Sequence, residues 1–92
     1  MITPKYSFRI DIETHDQTGE VLAAYFSVRK GKAHETKEFA GGCAFADYDK
    51  KGRLLGIELL GPCKISVIDR ITSEAPARKF FKGSIPRQLV AA

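Results

Sequence analysis

The chain has 92 residues, 43% hydrophobic and 28% charged, with a formal charge of +4 at pH 7. That size and composition describe one globular domain with a modest core, and they exclude a globally disordered chain. No window approaches the roughly 18 apolar residues of a membrane span, and Met1 to Phe8 lacks the basic-then-apolar layout of a signal peptide.

Lys5 to Glu13 is the clearest strand. Tyr6, Phe8, Ile10 and Ile12 alternate with Lys5, Ser7, Arg9, Asp11 and Glu13, which gives one face to bury and one to wet. After the turn-rich run His15 to Gly19, Val21 to Arg29 reads as a second strand. Lys30-Gly31 then reads as a tight hairpin into a third, Lys32 to Phe39. Gly41-Gly42 punctuates the chain before Cys43 to Asp49, and Asp49 to Gly52 closes that strand onto Arg53 to Leu60.

Taking Lys51-Gly52 as the turn sets Tyr48 opposite Leu55, Ala46 opposite Ile57 and Ala44 opposite Leu59. The same face runs back through Phe39, Ala33, Val28, Phe26, Ala24 and Leu22. Glu35 and Lys37 also fall on it. They read either as inward charges that guard a sheet edge, or as part of a pocket with His34 where a site needs charge.

The last third supplies the cover for that face. Ser66-x-x-Asp69 reads as a capping box opening a short helix that turns Ile68 and Ile71 inward. Pro76 suits a helix first turn and Gly83 a helix end, so Ala75 to Lys82 reads as a second helix, with a last turn from Ser84 carrying Leu89 and Val90. The expected fold is therefore α+β: a five-stranded antiparallel β-meander over residues 5–60, with a helical segment over 64–92 packed on one face. Both belong to a single domain, 1–92.

Charge is unevenly divided. Residues 1–63 balance, with nine basic and nine acidic side chains. Residues 64–92 carry Lys64, Arg70, Arg78, Lys79, Lys82 and Arg87 against Asp69 and Glu74. Arg78, Lys79, Phe80, Phe81, Lys82 and Arg87 form the candidate partner-binding surface, fitted to an acidic protein surface or to nucleic acid.

Catalytic and metal chemistry find less support. Asp47-Tyr48-Asp49 with Glu58 offers oxygen ligands, but on a flat face beside Lys50, Lys51 and Arg53. His34 and Glu35 are strand neighbours and point to opposite faces, while His15-Asp16 lies in a loop. The glycines open no helix and form no phosphate-binding pattern. Cys43 and Cys63, twenty positions apart with no matching histidines, read as reduced thiols, with a disulfide or a metal site as the alternatives. No catalytic residue, cofactor or metal ligand is assigned.

Several segments resemble a family of small prokaryotic proteins known as domain of unknown function twenty-two eighty-three. They are Val21-Leu22 with Tyr25 and Phe26, Ala33-x-Glu35-Thr36, Asp47-Tyr48-Asp49-x-x-Gly52-Arg53-Leu54, and Gly56-Ile57-Glu58-Leu59-Leu60. The likeness covers about residues 16–60, and the first strand and the basic tail fall outside it. It implies no catalytic residues. It implies instead an interaction protein, since some members look like the smaller partner in two-gene toxin–antitoxin-like pairs. The expectation is a cytoplasmic, homo-oligomeric interaction module whose partners are itself and the neighbouring gene product, with no membrane association. A nucleic-acid-binding tail is the alternative, and a small-ligand domain or enzyme around His34, Glu35 and Lys37 is the third reading.

Overall fold

The computed structural model describes residues 6–91. The predicted strand start at Lys5, and the reading of Met1 to Lys5, lie outside the described residues. Five strands, β1 (Arg9–Thr14), β2 (Val21–Ser27), β3 (Glu35–Phe39), β4 (Ala44–Tyr48) and β5 (Leu54–Leu59), precede two helices, α1 (Val67–Ile71) and α2 (Ala75–Ser84). The sheet is antiparallel throughout and its order is β1-β2-β5-β4-β3. The α+β class and the helical cover are as expected, but the strands do not run as a meander.

The difference lies at Lys30-Gly31. These residues do not close a hairpin. Val28 N donates to Leu55 O, and the chain then crosses to the far edge, where His34 N donates to Tyr48 O. A Cβ on Gly31 would stand 2.8 Å from Leu55 Cδ2, so the glycine permits a close crossing over Leu55. β5 thereby becomes the central strand. Its Leu54, Leu55, Gly56, Ile57 and Leu59 are all buried, as befits a strand paired on both sides.

The β4–β5 register holds for Ala44↔Leu59 and Ala46↔Ile57 but slips at its end, where Tyr48 lies opposite Leu54 and not Leu55. The turn explains the slip. Asp49 N donates to Arg53 O, Gly52 takes φ +81°, and Asp49 Oδ1 accepts from the amides of Lys51 and Arg53. This is a three-residue loop with a left-handed glycine, which inserts one residue relative to a two-residue turn.

Ala24, Phe26 and Val28 of β2 and its extension, Ala44 and Ala46 of β4, and Ile57 and Leu59 of β5 form one buried layer. Val67, Ile68, Ile71, Ala77, Phe81 and Leu89 form the layer above it. The small alanines let the helices sit close. Phe81 meets Phe26 edge-on, with ring centroids 5.9 Å apart. Ile68 and Ile71 face the sheet as the sequence implies. Leu22 and Ala33 do not reach this core and are exposed.

Helix ends differ from the sequence reading. Ser66 is itself helical and makes no side-chain cap, the Asp69 amide donating instead to Ser66 O, while the Asp69 carboxylate is engaged by Lys82 and Arg78. α2 runs past Gly83 to Ser84 and stops before Pro86, which cannot extend it. A short turn, Arg87–Leu89, follows, and Val90 bridges in parallel to Cys63. Cys63 and the half-buried Cys43 are both free thiols. Burial, reinforced by Cys43, pushes the Cys63 thiol up to about 12.

Candidate interaction surface

The basic tail is divided between structure and solvent. α2 buries Ala77 and Phe81, so Phe81 belongs to the core and is not a contact residue. Phe80 is half-buried and stacks on Phe8 with a centroid separation of 4.5 Å. Arg78 donates to Thr72 O at 2.7 Å and to Asp69 O at 3.2 Å, while Lys82 Nζ donates to Asp69 Oδ1 at 2.9 Å. These two cations join α2 to α1 and hold the Asp69 carboxyl below its usual range. Among the predicted contact residues, only Lys79 and Arg87 project outward without an ion pair among the described residues.

His34, Glu35 and Lys37 are all exposed along the far edge. Lys37 pairs with Ala46 and so does face the helical side, as the register implied, but the helices do not extend over it. Its ammonium lies 5.2 Å from the centroid of the Tyr48 ring. β3 is an edge strand with charges on its inward face, the arrangement that blocks further strand addition.

The opposite edge is built differently, and the sequence reading missed this. Ile10 pairs with Phe26 and Ile12 with Ala24, so both lie on the helical face of the sheet. α2 reaches only as far as the Phe80–Phe8 stack. Phe8 itself stays 42% exposed, and Ile10, Ile12 and Leu22 remain 38%, 49% and 41% exposed. The stripe adjoins a groove of about 640 Å³ lined by Val21, Leu22, Leu60, Pro62 and Leu89. The alternation in β1 signalled a buried face. What it could not show was that the helical cover is too narrow for a fifth strand.

On the other side of the sheet, a polar cleft of about 320 Å³ is lined by Arg9, Tyr25, Arg29, Lys30 and Asp47, among others. Tyr25 lies across Gly56 and donates to Asp47 Oδ2 at 3.0 Å, while Thr36 donates to Oδ1 at 2.6 Å. Desolvation, with Asp47 as the acceptor, pushes the Tyr25 phenol up to about 12. Asp47 is thus occupied by two hydroxyls, and Asp49 by its own turn and Arg53. Among the described residues, no group of three or more His, Cys, Asp and Glu is placed to hold a metal ion, and no helix is long and apolar enough to cross a membrane. No family model, curated protein or solved structure matches the chain.

Proposed function

We propose that this chain is a protein–protein interaction module that works through the β1 side of its sheet. The observation that carries the reading is the row Phe8, Ile10 and Ile12, half-exposed along the edge strand β1, with the exposed Leu22 of β2 near its end. A contiguous apolar surface beside a strand edge that is unpaired among the described residues is the usual form of a strand-addition site. Lys79 and Arg87, which are exposed like Lys64 and Arg70, offer further polar contacts.

The antitoxin-like role implied by the family resemblance is one specific form of this reading. Nucleic-acid binding draws less support than the sequence suggested, because Arg78 and Lys82 are engaged with Asp69. Co-expression with the product of the neighbouring gene tests the module directly. The expected result is co-purification or self-association that is lost in Ile12→Lys and kept in His34→Ala. Absence of any Ile12-dependent association overturns the proposal.

A further inference from the structure

We propose that the occupant of the β1 edge is a second copy of the same strand, paired antiparallel about a two-fold axis at Ile10, so that two five-stranded sheets become one continuous sheet. This deepens the interaction-module reading and rests on it.

The two edges of the sheet point to β1. β3 carries Glu35 and Lys37 on its inward face, whereas β1 carries Ile10 and Ile12, preceded by Phe8. The β1 irregularity falls at its far end, between Glu13 and Thr14, so the stretch through Arg9 to Glu13 is a regular template.

The charge order then selects the partner and the register. In a two-fold antiparallel pair, residues directly opposite lie on the same face, so only registers that match even with even residues keep Ile against apolar groups. With Ile10 on the axis, Ile10 meets Ile10 of the second copy, Phe8 meets Ile12, and Arg9 meets Asp11 on both sides. Between Phe8 and Ile12, both charged positions thus face their opposites, and Glu13 faces the neutral Ser7. Moving the axis to Asp11 sets Asp11 against Asp11, and moving it to Arg9 sets Arg9 against Arg9, both of which repel. Arg9 and Asp11 already pair within the strand at 3.3 Å, with side chains 72% and 61% exposed, so both stand on the wet face, free to meet their counterparts on an arriving strand.

The contact is small, because it consists of one strand edge and a few apolar side chains. Its strength therefore belongs to the weak, concentration-dependent class of interfaces.

Sedimentation equilibrium across the micromolar to millimolar range reads the state directly. The wild-type chain is expected to approach twice 10.2 kDa as concentration rises. Arg9→Asp alone sets carboxylate against carboxylate at both cross-strand pairs, and Asp11→Arg alone sets guanidinium against guanidinium. Each is therefore expected to weaken association at least about tenfold. An equimolar mixture of the two is expected to restore it, since each strand then faces one of opposite charge. Both positions are exposed, and far-ultraviolet circular dichroism verifies that each variant remains folded.

A wild-type monomer throughout the range overturns the second copy as occupant, as does a dimer indifferent to both substitutions or a mixture that stays monomeric. If the chain is monomeric yet shows Ile12-dependent co-purification with the neighbouring gene product, the interaction module stands and only self-pairing falls.

Discussion

The guanidinium of Arg29 donates to Glu74 Oε1 at 2.6 Å and also to Leu54 O at 2.6 Å, which ties the end of β2 to the residue that opens α2. Tyr6 adds a third link, donating to the same carboxylate at 2.7 Å while Arg29 lies 5.2 Å from its ring centroid. The Arg29 side chain is only 7% exposed, against 30% for Glu74. The pair therefore joins the helical layer to the sheet.

Removing one partner leaves the other uncompensated. Glu74→Ala strands a buried guanidinium and is expected to cost about 3 kcal/mol, the low end for a broken buried pair because Glu74 is partly wet. Arg29→Met, which leaves no buried charge behind, is expected to cost less. Urea midpoints of the two variants check the order.

The pH profile follows from the same carboxylate. Hydrogen bonds from Arg29, and secondarily from Tyr6, hold Glu74 below its ordinary 4.5. A depressed carboxylate contributes stability above its unfolded value and loses it as pH falls through the folded one. Melting temperature is expected to drop below about pH 4.5, with a shallower drop in Glu74→Gln. On the alkaline side, Tyr25 and Cys63, both raised to about 12, reverse the sign. Their contributions are full below the unfolded values and fade as pH rises toward 12. A profile flat between pH 3 and 5 would contradict the role assigned to Glu74.

Gly56 is held by space. A Cβ there would sit 2.5 Å from Tyr25 Oη and 2.7 Å from Phe26 O. The tyrosine can swing away, but the backbone of the paired strand cannot. Gly56→Ala is expected to destabilise by about 1–3 kcal/mol, and Tyr25→Phe in the same chain is not expected to rescue it. Thermal unfolding of the single and double variants decides this.

The tail separates by position. Phe81→Ala empties a fully buried site against Phe26 and is expected to cost about 3–5 kcal/mol. Lys79→Ala and Arg87→Ala, both on exposed residues, are expected to stay within about 0.5 kcal/mol of wild type. Chemical denaturation of the three variants tests the division between core and surface.

Much of the sheet can be read from alternation alone. Phe26, Ala24, Ala46 and Ile57 announce their buried face, and the same count places Glu35 and Lys37 on that face at an edge. Strand order is less visible, because a glycine chosen for close packing over Leu55 looks identical to one chosen for a turn. The nearly uninterrupted apolar run Leu54, Leu55, Gly56 and Ile57 was the available sign of a central strand. The candidate interaction surface was harder still. Arg78 and Lys82 look like a free basic stripe until Asp69 is brought beside them, and the exposure of Ile10 and Ile12 depends on how far a helix reaches. No local pattern encodes that distance.

Glu35 and Lys37 also bear on what happens after a first contact. A sheet that grows at both edges has no natural stopping point, and chains so built go on to fibres. Here any copy that joins through β1 offers the next newcomer only β3, where a carboxylate and an ammonium lie in the path of an apolar face. These two side chains act as terminators. In the pairing proposed above, they would leave one edge adhesive while limiting assembly to a closed pair.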